Sequence, residues 1–572
     1  MSAAASSTIY AAAAVRSSSP FLRRVTLRQL PLQAKRAHSE FAFRLDQVRH
    51  ASNHFTARNA RWRRNISKLY ARRMLELAAA SAALSREKLT LSEAVMTPPT
   101  NWADWHGRKD WTDDLLESLG ATWYQRTWRG MTRLGQLGLL FSPYLVLSPL
   151  RMLNKERFDP PFWQYSLWSI EKAGPTFIKF VQWATTRQDM FSVDFCTNLS
   201  ALRDKTKGHS WKETERLLEQ EFGPDWKTKV QIKDQTPIGS GCIAQVYRGT
   251  LREATDLEPI GKDIALKVQH PGIWNKVCVD FYLLGQVADL LEAVPFLNLS
   301  YLSLKDLVHQ FCNIMLPQLD LTLEAKHLDR FLRDFEHDES IHFPRPLHTL
   351  TRPKILTETF CFGKPILSYT RASLEDRKTL AYMGLQSTLK MIFLHDFVHG
   401  DLHPGNILVE EKAPGKFVMN LLDCGLVVEL GPKQHDTMVK ILGAFSRRNG
   451  RLAGQLMVDT ASHTQASPLD VELFVAGIEQ ICLDDADNNF VEHVGDYIAD
   501  ICYMACKHKV KLEATFINAA LAMEITEGIA TALYKDIKVS STALQMVVKA
   551  EMMHQLNNAT GGWTKSIVNT VV

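Results

Sequence analysis

Two short runs pair acidic and amide side chains at a spacing that suits phosphate chemistry. In His399-Gly-Asp401-Leu-His-Pro-Gly-Asn406 a carboxylate and an amide stand five residues apart, with Pro and Gly between them. Such a loop, leading into a strand, can offer Asp401 to a hydroxyl and Asn406 to a divalent cation. Seventeen residues further on, Asp423 ends the apolar run Leu421-Leu422 and is followed by Cys-Gly425. A carboxylate placed so can hold a metal that bridges phosphate oxygens. Upstream, Pro237-Ile-Gly239-Ser240-Gly241-Cys-Ile-Ala244-Gln-Val246 has the small residues that let backbone N–H groups approach phosphates. Lys267 sits alone in the apolar frame Ile264-Ala-Leu-Lys-Val268 and is a cation for the α- and β-phosphates. It needs a carboxylate to hold it, and Glu324 follows Pro317 on a helical stretch. Each part alone has an ordinary explanation: a chance Asp-X-Gly, a lysine snorkelling from an edge strand, a glutamate on a solvated helix face. All five in this order fit one electrostatic task, neutralising phosphate charge and holding atoms in line.

The elements that must position these groups can be read from periodicity. Short β-type runs occur at Ile243–Tyr247, Ile264–Val268 and Lys354–Phe360. Leu304–Phe335 is helical by three-to-four spacing, broken at Pro317, and 374–397 is helical again. Asn406–Val409 and Phe417–Leu422 form two further β-type runs around the turn Ala413-Pro-Gly415. Residues 60–90, 163–222 and 433–572 read as helical, and 97–112 is Trp-rich and irregular. The expected order is helical N-extension, mixed α/β, then all helical.

The 572 residues carry a net charge of +5, unevenly spread. Residues 1–73 hold 15 Lys or Arg and two acids, so they carry +13 and the rest carries −8. With no basic stripe in the body, nucleic-acid binding is excluded as the main role. The first 39 residues lack Asp and Glu and are rich in Ala, Ser and Arg, the composition of a mitochondrial transit peptide. From Leu134 to Leu150 no residue is charged, but Pro143 and Pro149 interrupt the run. It reads as one short membrane span, an interfacial helix, or a buried core helix. Nine cysteines without a CxxC pair read as reduced and mostly buried. Asp485-Ala-Asp487-Asn-Asn489 opens like a calcium loop, but Phe490 stands where glycine is needed, so it reads as a solvated acidic loop. His395, His399 and His403 are four apart, but His403-Pro404 argues against the continuous helix a metal site would need. His399 is expected to brace the Asp401 loop.

The Asp401…Asn406 run and Asp423-Cys-Gly425 resemble the catalytic loop and Asp-Phe-Gly element of kinases. Gly174-Pro-Thr-Phe-Ile-Lys179-Phe-Val-Gln182, continuing to Phe191, is similar to the KxGQ segment of the UbiB/aarF-domain (coenzyme Q8-type) atypical kinases. Leu266-Lys-Val-Gln-His-Pro-Gly272 and the His-Gly-Asp-Leu-His-Pro-Gly-Asn run resemble the same family. Three positions depart from its pattern. Val181 replaces the KxGQ glycine, Gly239-Ser-Gly241 replaces an alanine-rich loop, and Gln318 stands at the first acid of ExD, before Asp320. The last two suggest the second aarF-domain-containing kinase branch, linked to coenzyme Q distribution.

The resemblance implies an α+β, bilobal protein-kinase-like fold with the N-terminal helical extension packed over the site. The boundaries expected are a transit peptide at 1–40, a helical, membrane-associated region at 41–160, and the KxGQ-like extension at 161–236. An N-lobe at 237–362 and a C-lobe at 363–572 follow. It implies ATP and Mg2+ as cofactors and a mitochondrial, inner-membrane setting. The partner expected is a membrane lipid or a coenzyme Q-type isoprenoid. By the same resemblance Gly239, Ser240, Gly241, Val246, Lys267 and Glu358 contact the nucleotide. Asn406 and Asp423 hold metal, Asp401, Lys267 and Glu324 are catalytic, and Lys179, Gln182 and Asp320 cap the pocket. Two other readings of the same residues are a small-molecule phosphotransferase of the aminoglycoside or choline type, which lacks the 174–191 segment, and a nucleotide-sensing scaffold without turnover.

Overall fold

Helix signals in the sequence set the first elements. The computed structural model describes residues 122–546, apart from 186–190, 201, 203–207, 293–303, 462–465, 485–493, 540, 541 and 543–545. All of these lie in one compact unit, Val95–Val572. The segment 1–40, the helix expected over 60–90, the Trp-rich 97–112 and the run 485–489 lie outside the described residues. Thr122 and Gln125 form a capping box that opens α1, Trp123–Phe141. The chain then breaks at Ser142-Pro143, and α2 runs Tyr144–Leu153 with no buried residue. The uncharged stretch 134–150 is therefore two helices rather than one continuous span, because proline cannot continue the first. The first half of the stretch packs inward, with Leu137 buried against Ala173, Val279 and Leu283, while its second half does not: Leu145 is 80% exposed and Val146 62%.

Next come α3 (Lys155–Ala173), α4 (Pro175–Thr185), α5 (Val193–Leu199), α6 (Trp211–Phe222) and the single turn α7 (Trp226–Lys229). The expected continuous helicity of 163–222 is thus interrupted. At Gly174 the backbone turns into φ +105°, open to glycine but strained for other residues, which sets α4 at an angle to α3.

A five-stranded antiparallel sheet follows, built from β1 (Val230–Ile232), β2 (Gly239–Ser240), β3 (Ala244–Leu251), β4 (Asp263–Gln269) and β6 (Ile355–Thr359). Its order is β1-β3-β4-β6, with β2 on β3. β1 lies within 161–236, so the sheet begins earlier than the boundary at 237 expected from the sequence. Two helices, α8 (Ile273–Glu292) and α9 (Leu304–Met315), interrupt the sheet sequence, and α10 (Leu321–Asp334) follows a single 3-10 turn at Pro317–Leu319.

The second lobe holds β5 (Ile341–His342), β7 (Lys364–Pro365), α11 (Leu374–Phe393), β8 (Phe397–His399), β9 (Ile407–Ala413), β10 (Lys416–Leu421) and β11 (Val427–Glu429). Five helices close it: α12 (Pro432–Ser446), α13 (Gly450–Thr460), α14 (Pro468–Asp484), α15 (Val494–Lys507) and α16 (Ala514–Leu533). Residues Thr515–Leu533 are long and apolar enough to cross a membrane, but half of this window is buried, and α16 packs along α11. Thr388 and Thr526 join the two helices by a buried hydrogen bond of 2.8 Å. Among the described residues no disulfide forms, and seven of the nine cysteines are buried.

The N-terminal helices dock on α8 and α9 through an apolar cluster that includes Ile178, Val181, Phe281 and Phe311. One polar clamp fixes them there. Asp280 of α8 is fully buried, and its Oδ1 accepts from Arg133 Nε at 2.6 Å. Its Oδ2 accepts from Thr176 Oγ1 at 2.8 Å, while Arg133 also donates to the Ala173 carbonyl at 2.5 Å. Asp280 thereby ties α1 and α4 to α8. Replacing one partner strands a buried charge, which costs about 3–5 kcal/mol, whereas replacing both by apolar groups is far milder. Asp280→Ala should accordingly lower the urea midpoint sharply, and Arg133→Met with Asp280→Leu should recover most of the loss.

Candidate active site

Alternation along β4 decides which side chains reach the cleft between the lobes. Ile264, Leu266 and Val268 face outward and join Leu218 of α6, Trp226 and Tyr247 in a separate apolar cluster. Ala265 and Lys267 therefore face the other way and line a cavity of about 420 Å³. Its walls also include Gly239, Ser240, Gly241 and Val246 from the first strands, and Glu358, which lies opposite Ala265 on β6. Asp401, Asn406 and Asp423 line the C-lobe side.

Lys267 Nζ donates to both oxygens of Glu324, at 2.8 and 2.9 Å, and to Asp423 Oδ1 at 2.6 Å. Glu324 is brought there by α10, whose N-cap is Asp320: the Asp320 carboxylate accepts from the Thr322 amide at 3.0 Å and its hydroxyl at 2.7 Å. Burial opposes the charge of Lys267, but the Asp423 and Glu324 carboxylates outweigh it and hold the pKa above the ordinary lysine value. Burial also opposes the charge of Asp423, yet Lys267 keeps that carboxyl well below its usual range. For Glu324 burial wins and the shift is upward.

The catalytic-loop geometry is set by His399. Its Nε2 donates to the Leu422 carbonyl at 2.9 Å and its Nδ1 accepts from the Asp401 amide at 3.1 Å. The ring is buried, and burial lowers its pKa, which suits this neutral tautomer. His399 thus braces the Asp401 loop against the strand end that carries Asp423. Asn406 Nδ2 donates to the Asp401 carbonyl at 3.0 Å, which leaves Oδ1 as a free acceptor. Asp423 itself adopts φ +56°, turning its carboxylate out of the β10 direction.

A divalent cation that prefers oxygen would find one carboxylate and one amide oxygen here, a sparse protein set that phosphate oxygens and water complete in magnesium-nucleotide sites. No cluster of three His, Cys, Asp or Glu able to hold a metal by itself occurs among the described residues. Ser240 Oγ is buried without a partner, on the side of the loop that faces Gly208 and Gln245. Asn406 and Asp423 fit Mg2+ with a nucleotide.

Of the three residues expected to cap the pocket, the cavity lining includes Lys179 of α4, with Nζ 3.8 Å from Asp401 Oδ2. Gln182, one turn along α4, does not line it, and Asp320 is turned to capping α10 instead. Gln318, at the position of the family's missing acid, donates to the Ile314 carbonyl at 3.0 Å, and Lys179 meets the Asp401 carboxylate. His395 packs on Phe335 and His403 caps the turn at Gly405, so the three spaced histidines share no site. Phe360 and Cys361, which line the cavity beyond β6, were missed because a linker between lobes has no periodicity to read.

A strand lysine held between a helix glutamate and the aspartate of an Asp-X-Gly turn, in a cleft between an antiparallel sheet and a helical lobe, is the layout of the protein-kinase-like fold. Comparison with known proteins narrows the class. Residues 201–457 match the ABC1 atypical kinase-like domain. The chain is 27% identical over 482 residues to "ABC1 family protein C21C3.03, mitochondrial" of Schizosaccharomyces pombe, covering 71% of this chain and 69% of that one. It is 27% identical over 488 residues to "ABC1 family protein YPL109C, mitochondrial" of Saccharomyces cerevisiae, with 72% and 73% covered. To "Probable protein kinase UbiB" of Pseudomonas putida it is 26% identical over 439 residues, with 75% and 76% covered. The chain thus carries an ABC1 atypical kinase-like domain over residues 201–457, and its relatives include mitochondrial ABC1 family proteins and UbiB proteins.

Glu358 gives the site a pH signature. Burial, and then the charge of Glu324, push its carboxyl from 4.5 up to about 8. The folded state then holds more protons than the unfolded state between those values. This group's contribution is complete below pH 4.5 and is lost as pH rises through about 8. Glu358→Gln should therefore gain stability relative to wild type between pH 5 and pH 8, measured by urea titration at each pH.

Proposed function

We propose that the chain is a mitochondrial ATP-binding atypical kinase or ATPase that acts in coenzyme Q, or related isoprenoid lipid, homeostasis or distribution, closest to the second aarF-domain-containing kinase branch. One observation carries the nucleotide reading: Lys267, shared by Glu324 and Asp423 at 2.6–2.9 Å, faces a cavity large enough for a nucleotide. Lys267 holds the α- and β-phosphates, Glu324 orients it, and Asn406 and Asp423 supply the metal's oxygens. Asp401 orients a hydroxyl or water. Lys179 stands beside Asp401, where a protein hydroxyl would have to enter, which favours water or a small acceptor over a peptide. The mitochondrial setting rests on the transit-like N-terminus and on the names of the two fungal relatives.

The lipid part rests on the surface of α2. Leu145, Val146, Met152 and Leu153 are all exposed, and Leu139 at the end of α1 adds to them. A contiguous exposed apolar patch of this kind suits an interfacial helix lying in a bilayer surface. Leu145→Asp with Met152→Asp should abolish flotation with phosphatidylcholine vesicles while leaving nucleotide binding unchanged; undiminished flotation overturns the membrane role of α2.

Mg-ATP at about 100-fold over its dissociation constant should stabilise the folded protein by roughly 3 kcal/mol. Asp423→Asn should lose the magnesium-dependent part of the thermal shift. Asp401→Asn should keep the shift but lose turnover by ~10²-fold or more, as expected for a group that manages the reacting proton. Turnover retained in both variants overturns the assignment.

A further inference from the structure

A polar chain, buried at Gln245, Tyr247 and Thr214 and half-buried at His209 and His270, runs from the outer face of the N-lobe sheet to the glycine loop. Gln245 and Tyr247 of β3 point away from the nucleotide side and meet Thr214 of α6. Gln245 Nε2 reaches the Tyr247 hydroxyl at 2.5 Å, and that hydroxyl lies 2.9 Å from Thr214 Oγ1. Thr214 Oγ1 is 2.9 Å from His209 Nε2. His209 Nδ1 is 2.7 Å from His270 Nδ1, and His270 Nε2 is 2.9 Å from the Gly241 carbonyl.

The proton positions along this chain follow from its two ends. A carbonyl only accepts, so His270 Nε2 carries the hydrogen. A neutral His270 then accepts at Nδ1, and His209 must donate from its own Nδ1. Neutral His209 accepts at Nε2, so the Thr214 hydroxyl donates to it. Tyr247 then donates to Thr214, and the Gln245 amide donates to Tyr247. From Tyr247 onward each donor serves the next group toward Gly241, while Gln245 Nε2 also lies 3.2 Å from Thr214 Oγ1 and 3.3 Å from the His209 carbonyl. Burial lowers the pKa of both rings, of His209 to about 4, with Glu213 of α6 pulling weakly the other way. Both imidazoles are thus neutral near pH 7, as the chain requires.

The segment before α6 is built to fit. A Cβ at Gly208 would meet Gln245 Oε1 at 2.3 Å, so a larger residue there would have to displace the Gln245 amide. Gln245 Oε1 accepts from the His209 amide at 3.1 Å, which fixes the base of that side chain. The consequence falls on the phosphate-facing turn. In a trans peptide the C=O and N–H point oppositely. A Gly241 carbonyl pinned on His270 therefore sends the Cys242 N–H the other way and keeps an electronegative oxygen from rotating toward bound phosphates.

We propose that His270 is a positioning residue for nucleotide binding: the relay Gln245–Tyr247–Thr214–His209–His270 locks the Gly241–Cys242 peptide so that its carbonyl oxygen is held away from bound phosphates. This rests on the nucleotide reading above. It makes α6, through His209, a structural control on the loop.

The test uses conservative replacements that keep single hydrogen bonds. His270→Gln retains a donor near the Nε2 position and His209→Asn one near Nδ1; His270→Leu and His209→Leu retain neither. Binding of Mg-ATP and of adenosine is measured for each, together with hydrogen exchange of residues 239–244 and the histidine tautomers by nitrogen-15 NMR, both without ligand. The relay predicts roughly tenfold weaker Mg-ATP binding in each leucine variant, the cost of about one hydrogen bond at ~1.4 kcal/mol. Adenosine binding should be unchanged, affinity should return in His270→Gln, and loop exchange should be faster in His270→Leu. Equal Mg-ATP affinity in wild type and His270→Leu, or an equal loss for adenosine, overturns the proposal. So does a His270 that carries its hydrogen on Nδ1. A wild type that binds no nucleotide, but shows the assigned tautomers and faster loop exchange in His270→Leu, keeps the loop lock and overturns the nucleotide reading instead.

Discussion

The structure turns on one buried cation. Lys267 comes from the N-lobe sheet, Glu324 from α10, and Asp423 from the end of β10 in the C-lobe, and they meet within 2.6–2.9 Å. Glu324 is nearly inaccessible to solvent, so it can be carried there only because Lys267 compensates it. Four carboxyls, Glu324, Glu358, Asp401 and Asp423, line the cavity with Lys267 and Lys179. Burial and then the charge of Glu324 push Glu358, which lacks a direct lysine contact, up to about 8, and burial pushes Glu324 up to about 7.

The rest of the fold serves this meeting point in layers. Asp320 caps α10 and so fixes where Glu324 begins its reach. His399 ties the Asp401 loop to the carbonyl beside Asp423, so two functional carboxylates move as one unit. The N-terminal helices are held on α8 by Asp280, and through α4 they set Lys179 beside Asp401. A clamp far from the cleft in sequence, between Arg133 and Asp280, thus decides how firmly the cleft is covered.

Much of this was legible in the sequence because it depends on short local patterns. β4, the β9–β10 hairpin and the break at Pro317 are announced by alternation, a Pro-Gly turn and a proline. The five polar groups, read from order alone, converge on one cavity. The misses have different causes. For the run 134–150 the prolines announced a break, but hydropathy could not say which of the three readings holds or which side is left exposed. Asp320 was expected at the pocket from its place in the ExD-like Gln318-Leu-Asp320; only the backbone direction shows that its carboxylate also caps a helix start. The partner of Lys179 depended on which carboxylate lies opposite α4, a tertiary fact. His209 had no signal at all, since a lone histidine before a helix is ordinary until its ring is seen against His270.

A final consequence concerns exchange of partners at the site. Lys267 binds the same carboxylate that a magnesium ion would need, and Lys179 stands by the one that would orient an acceptor. Each functional carboxylate is thus already neutralised by a lysine of the chain itself. A nucleotide entering with its metal does not fill an uncharged hole. On the nucleotide reading proposed above, a metal would compete with Lys267 for Asp423 while phosphates would offer that ammonium a new partner, and the two exchanges would nearly cancel in charge. Affinity then depends on geometry more than on net attraction, on whether phosphates arrive within reach of Lys267 as the metal reaches Asp423. The glycine loop sets that geometry from above, and this makes the orientation of one peptide at Gly241 matter to a site whose charges lie elsewhere.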